Sequence, residues 1–201
     1  MVYAVSMHVI VGLGNPGEEY KHSRHNVGRA IVEAFTRRGD FDVWKDDRKA
    51  HAQVAKGEYE GEKAALLLPD TFMNRSGTAV LPFVKSKKAA ERLIVVYDDI
   101  DLPLGSLKLS FGRSSGGHKG VESIIRSLKT KDFVRVRVGI SPATASGKVR
   151  KPKTEQATID FLMKAFRKPE EEKLKKITKR VHEALEVIVR DGRAAAMNEF
   201  N

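Results

Sequence analysis

Residues 9–28 read VIVGLGNPGEEYKHSRHNVG, and the change of character along this stretch decides the fold. Met7, Val9, Ile10 and Val11 form an apolar run that stops at Gly12 and Gly14, and an Asn15-Pro16-Gly17 turn follows. Tyr20 and a polar segment ending in His25-Asn26 come next, before a helical pattern opens at Val27. A buried strand that stops at glycines delivers polar side chains to the carboxyl edge of a sheet, where open α/β folds place their sites. Later segments are weighed by whether they can converge on His25.

Working outward, Val27–Arg38 keeps Val27, Ile31, Val32, Ala34 and Phe35 at helical spacing and stops at Gly39-Asp40. Phe41–Asp47 reads as a loop around Trp44. His51–Glu58 and Ala64–Leu68, parted by Gly61 and closed by Pro69, read as a hairpin or two adjacent strands. Ala79–Lys87 reads as a short helix with Thr71 as its candidate cap. Leu93–Tyr97 (LIVVY) is the clearest central strand, and its end in Asp98-Asp99-Ile100-Asp101 again points to the carboxyl edge of a parallel sheet.

Leu107–Phe111 alternates as a strand, the glycine-rich loop 112–120 follows, and Val121–Leu128 is helical by spacing. Phe133–Ile140 is a strand with Arg135 and Arg137 on its polar face. Ser141–Thr154 is a basic, small-residue loop, and Thr154–Phe166 reads as a helix. Pro169, followed by three glutamates, starts a long helix with a stripe of Leu174, Ile177, Val181, Leu185 and Ile188 that ends at Gly192. Strands and helices alternate with antiparallel insertions. The expected fold is therefore α/β, a single domain with a three-layer arrangement of one mixed β-sheet flanked by helices.

At 201 residues the chain can bury a sizeable core. It has no cysteine, which excludes disulfides and thiolate metal sites and fits a cytoplasmic home. No apolar stretch reaches the ~18 residues of a membrane span, and the opening MVYAVSMHVI lacks the features of a signal peptide. Lys and Arg total 37 against 26 acids, a net charge of +11 that favours a polyanionic partner.

Three constellations carry chemistry. Gly12–Gly17 formally satisfies GxGxxG, yet Pro16 lies inside it, the helix is delayed past His25, and no acid-tipped strand follows at the required distance. Gly112–Gly116 formally satisfies GxSxG, which would make Ser114 a nucleophile served by Asp160 and His182; His182 falls mid-helix, a poor place for a mobile base. His25 is the stronger candidate. As a general base it needs a carboxylate to fix its tautomer, and Asp98 at the tip of the central strand is the natural partner. Asn15, Asn26 and Asn74 are neutral amides able to hold a water or carbonyl without competing for protons.

Five blocks carry a resemblance. VGLGNPGEEYKHSRHNVG, LPDTFMNRSG, YDDIDLPLG, GGHKG and the terminal MNEFN resemble, in the same order, the signature segments of bacterial peptidyl-tRNA hydrolases. The resemblance spans nearly the whole chain. It implies a metal-free, cofactor-free esterase of a single α/β domain, a monomer, which cleaves the ester between a nascent peptide and tRNA. It also implies His25 as the essential histidine, Asp98 as its partner, and Asn15, Tyr20, Met73 and Asn74 as substrate-binding residues.

One block departs from the pattern. The family usually has GGHNG where this chain has GGHKG, so Lys119 stands in place of a substrate-placing Asn. Lysine cannot accept a hydrogen bond and adds a charge. A non-catalytic RNA-binding relative is the alternative this raises, and a serine esterase using Ser114 is the alternative from outside RNA biology. For the acceptor-stem phosphates of the tRNA, Arg137 matches one family position. The second falls on Ser110, where Lys108 on the same strand face can substitute, and Lys148, Arg150 and Lys151 in the basic loop are further candidates.

Overall fold

The structure, a computed structural model, describes residues 7–201. The first six residues, on which the reading of the amino-terminal segment partly rests, lie outside the described residues. One mixed sheet runs through the molecule. β1 (His8–Gly12) lies at its centre, flanked in parallel by β5 (Glu62–Pro69) and β6 (Leu93–Pro103). β8 (Val134–Ser141) continues the parallel part beside β6, and β7 (Leu107–Phe111) closes that edge antiparallel to β8. On the other side β4 (Ala52–Tyr59) pairs antiparallel with β5, so the hairpin expectation holds.

Two short strands, β2 (Asp40–Phe41) and β3 (Lys45–Asp47), pair with the outer edge of β4, where the sequence suggested a loop. Polar residues on an exposed edge show no apolar alternation, so pattern reading passes over them.

Alternation within the strands divides the core in two. Val9, Val11, Val95 and Tyr97 pack on one face and Ile10, Ile94 and Val96 on the other. The first face is covered by α2 (Ser76–Val80) and α4 (Lys119–Leu128). The second is covered by α1 (Val27–Phe35), α6 (Lys168–Asp191) and α7 (Arg193–Phe200). Fully burying each aliphatic side chain of these layers stabilises by about 1.5–3 kcal/mol.

The helix expected over 79–87 is broken. It stops at Val80, and a separate turn, α3 (Lys87–Ala90), begins after Ser86, whose hydroxyl accepts the Ala89 N–H. Pro82 is the reason: it has no N–H to carry the ladder past Leu81, which still donates to the Gly77 carbonyl. Thr71 is not the cap, and its buried hydroxyl has no hydrogen-bond partner among the described residues. The helix expected over 154–166 is α5 (Glu155–Met163), capped by Thr154 accepting from Ala157. Gly192, at a φ of 86°, parts α6 from α7.

Two features place the site. Asp98 continues β6 past the point where Gly12 ends β1 in register with Val96. Gly28, in the first turn of α1, lies so close to β6 that a Cβ would stand 2.2 Å from the Val96 carbonyl. That close approach, with the Arg29 N–H on the Leu13 carbonyl, seats the start of α1 on the carboxyl edge.

Candidate active site

His25 sits in a 3-10 turn, Arg24–Asn26, directly ahead of α1. The turn is held from behind: the Arg24 N–H donates to the Lys164 carbonyl, and Ser23 bridges to Ala165. This aims the imidazole at the tip of β6. Nδ1 of His25 lies 2.9 and 3.0 Å from the two carboxylate oxygens of Asp98, whose side chain is 1% exposed. An ionised carboxylate only accepts, so Nδ1 carries the proton and Nε2 keeps its lone pair.

Sequence reading passed over His118. It is the N-cap of α4, where its Nδ1 accepts the Val121 N–H at 3.3 Å. Nε2 must then be the protonated nitrogen, and it donates to Asp98 Oδ1 at 3.1 Å. The signal available was a histidine at the start of a helical pattern, in the glycine-rich loop.

Burial alone would lower the pKa of His25, but the Asp98 charge and hydrogen bond outweigh it and raise it above 6.5; the Lys119 charge pulls it partly back. Burial pushes Asp98 up, yet His25 and His118 hold its carboxyl well below the usual range. The three residues place ligand-capable atoms within 4.8 Å of one another. The contacts to Asp98 are nonetheless N–H···O hydrogen bonds, and the Val121 N–H already occupies the other nitrogen of His118. The three side chains are therefore joined by hydrogen bonds.

A cleft of about 550 Å³ opens over this group, and Asn15, Met73, Asn74 and Lys119 line it together with His25 and Asp98. Asn15 is locked. Its backbone N–H and carbonyl pair with the Asn26 amide at 2.8 and 2.9 Å, and its Oδ1 accepts the Met73 N–H at 2.8 Å. Only Nδ2 is left, a donor facing the cleft. Asn74 is exposed beside it. Phe72, Ile159 and Met163 make an apolar lip, exposed by 57%, 39% and 37%. Tyr20 departs from expectation: it does not line the cleft, and its ring meets Phe72 edge-on at 6.5 Å. The 3-10 turn at Glu18–Tyr20 carries it to the outer side of that lip.

A second groove of about 500 Å³ adjoins the first, sharing Tyr97, Asp99, Ser115 and Gly116. Lys108 and Arg137, register partners across β7 and β8, line it with Arg113 and Arg135. Arg137 Nε donates to Asp99 at 2.7 Å, and Arg135, 2% exposed, donates to the Ser114 carbonyl. Arg113 is not singled out by sequence reading, and Arg135 only as part of the polar face of a strand. Lys148 and Arg150 are exposed in the loop after β8 and line neither cavity.

The serine constellation does not assemble. The Asp160 carboxylate accepts from Gln156, and His182 Nε2 meets the Ile31 carbonyl at 2.9 Å beneath α1. Among the described residues no hydrogen bond joins Ser114, Asp160 and His182.

The chain matches the model of a family described as peptidyl-tRNA hydrolase over residues 9–201. It is 42% identical over 197 residues to a peptidyl-tRNA hydrolase of Herpetosiphon aurantiacus, covering 97% of this chain and 90% of that protein. It is 38% identical to one of Halalkalibacterium halodurans, covering 97% and 100%. The fold superposes on the crystal structure of peptidyl-tRNA hydrolase from Acinetobacter baumannii with a TM-score of 0.85 at 29% identity, covering 100% and 97%. With an unbroken match from β1 to the last residue, the chain belongs to the peptidyl-tRNA hydrolase family.

Proposed function

We propose that this enzyme hydrolyses peptidyl-tRNA with His25 as general base and Asp98 as the group that orients it. The observation that carries the assignment is the buried Asp98 carboxylate on Nδ1, which leaves Nε2 as the free lone pair in the cleft. Nε2 takes a proton from a water whose oxygen attacks the ester carbonyl. The imidazolium, supported by Asp98, then returns the proton to the departing ribose oxygen, leaving a peptide carboxylate and free tRNA. Asn15 Nδ2, and the Asn74 amide beside it, donate to the carbonyl oxygen as negative charge develops there. Because Oδ1 of Asn15 is held by Met73, this donor is already oriented before substrate arrives.

The apolar lip of Phe72, Ile159 and Met163 suits the peptide side, and the groove of Lys108, Arg113 and Arg137 suits acceptor-stem phosphates. The basic groove adjoins the catalytic cleft, which fits a ligand whose scissile ester ends a phosphate backbone. The net charge of +11 acts in the same direction. The enzyme acts as a monomer in the cytoplasm, where its substrate arises during translation.

Release of peptide from N-acetylated aminoacyl-tRNA by wild type and His25→Ala tests the reading. Loss of the base is expected to lower kcat by a factor of ~10² to 10⁴. A variant that cleaves at the wild-type rate overturns the assignment, and a wild type that binds tRNA without cleaving it supports the RNA-binding alternative.

A further inference from the structure

The mouth of the cleft holds a pair of opposite charges that the base mechanism does not use. Lys119, at the start of α4, and Glu155, at the start of α5, face each other with Nζ 3.7 Å from Oε1. Both side chains are well exposed, by 63% and 82%, and both line the catalytic cleft. The other carboxylates of that lining are already engaged: Asp98 by two imidazole N–H donors, Asp99 by Arg137. Glu155 has Lys119 as its ionic partner, so the cleft's remaining carboxylate carries a cation beside it.

The cation most able to enter is one attached to the substrate itself. In an aminoacyl ester the α-amino group, with an ordinary pKa near ~8, is largely protonated at neutral pH. In a peptidyl ester the same nitrogen is an uncharged amide. The two esters share the tRNA, the ribose and the reacting carbonyl, and differ at the α-nitrogen, charged in one and acylated in the other.

We propose that Lys119, by pairing with the Glu155 carboxylate and setting its own ammonium at the mouth, is a specificity-determining residue that turns away esters with a free α-ammonium and admits acylated ones. The inference rests on the cleft being the esterase site argued above. Its physical basis is short-range: like charges in a half-exposed site repel appreciably within a few ångströms and are screened beyond about 8–10 Å. Lys119 acts within that range, since its charge already reaches the His25 imidazole and opposes the pull of Asp98. A neutral amide at position 119 would lack this repulsion and would leave Glu155 bare.

The test measures kcat/KM on one tRNA charged with an N-acetylated amino acid and on the same tRNA with the amino group free. It compares wild type, Lys119→Met, Glu155→Gln and the double variant. Lys119→Met is expected to lower the ratio of blocked to unblocked cleavage about tenfold, because the exposed carboxylate now attracts the ammonium. Glu155→Gln is expected to hold or raise the ratio, the double variant to return toward wild type, and high salt to narrow the gap between Lys119→Met and wild type. An unchanged ratio in Lys119→Met, an equal slowing on both esters, or a double variant as unselective as Lys119→Met would overturn the proposal. Failure of the site itself is read separately, from wild-type turnover of the blocked ester by His25→Ala.

Discussion

Asp98 Oδ1 accepts from His25 Nδ1 at 2.9 Å and from His118 Nε2 at 3.1 Å, so one buried carboxylate fixes two imidazoles. The two rings are not equivalent. His118 spends its second nitrogen on the Val121 N–H, whereas the second nitrogen of His25 is left for chemistry. A single carboxylate at a strand tip thus holds both rings, and only His25 keeps its other nitrogen free.

Replacing Asp98 with Asn removes the charge and keeps the shape. Burial then acts on His25 without its counterweight, so the pKa falls and the acid limb of the kcat/KM profile moves to lower pH. At the same time kcat drops by about 10² to 10⁴, since the imidazolium formed during reaction loses its support. Stability shifts too. The depressed Asp98 contributes stability that is present above its ordinary 3.8 and lost as pH falls through the folded value. The raised His25 contributes stability that is present below 6.5 and lost as pH rises through its folded value. Urea titrations of Asp98→Asn across this range are expected to show the pH dependence flattened; an acid limb that stays put or rises contradicts the pairing.

How much of this could be read from sequence depends on what each residue answers to. The strand LIVVY ending in Asp98 and the glycine-ended strand ahead of His25 were legible, because continuous burial and its abrupt end both leave a pattern. The pairing of His25 with Asp98 followed from the rule that such strand tips share one edge. His118 was not legible: its role comes from two hydrogen bonds, one to its own helix and one to a strand 20 residues earlier. Nor was Tyr20, which the resemblance put in the cleft and the turn carried behind Phe72. Arg135 read as the polar face of a strand and is instead buried, with its guanidinium donating to the Ser114 carbonyl.

The two bonds of His118 can be separated. His118→Asn keeps a good helix N-cap but is too short to take the place of the ring at Asp98. His118→Ala loses both. The expected result is that Asn restores most of the ~1 kcal/mol that Ala costs in stability, while both variants lose about tenfold in kcat. Equal kcat in His118→Asn and wild type would show that His25 alone keeps Asp98 in place.

Behind the site, Arg24 and Glu170 form an ion pair at 2.8 Å, with side chains 5% and 10% exposed. The guanidinium packs against Phe161 and Phe166 at 4.8 and 4.6 Å. Glu170 also accepts the Arg167 N–H at 2.7 Å and so closes the first turn of α6. Glu170→Leu strands a buried cation next to His25, with an expected cost of about 3–5 kcal/mol, and Arg24→Met with Glu170→Leu recovers much of it. Burial raises the Glu170 pKa, but the Arg167 N–H and Arg24 outweigh it and hold it low. The pair's stability is therefore present above 4.5 and lost as pH falls through the folded value. Urea midpoints at neutral pH and at pH near ~3 measure both effects.

The basic groove makes a prediction about salt. Each cation that neutralises an RNA phosphate releases counterions, so removing one flattens the dependence of log(kcat/KM) on log salt by about one unit. Lys108 lines the groove, and no ion pair to it is present among the described residues. Lys108→Ala should raise KM for tRNA substrates at low salt and lose its effect as salt rises, with kcat little changed. Arg137→Gln should do more, because Nε also holds Asp99 at 2.7 Å and the freed carboxylate repels the incoming phosphate. Lys176, exposed on α6 and lining neither cavity, is the control, and its replacement should leave the slope alone. If all three variants flatten the slope alike, the charge acts through the whole surface and the groove is not where the phosphates sit. If Lys108 and Arg137 flatten it and Lys176 does not, the phosphates lie along β7 and β8, in the groove that adjoins the His25 cleft.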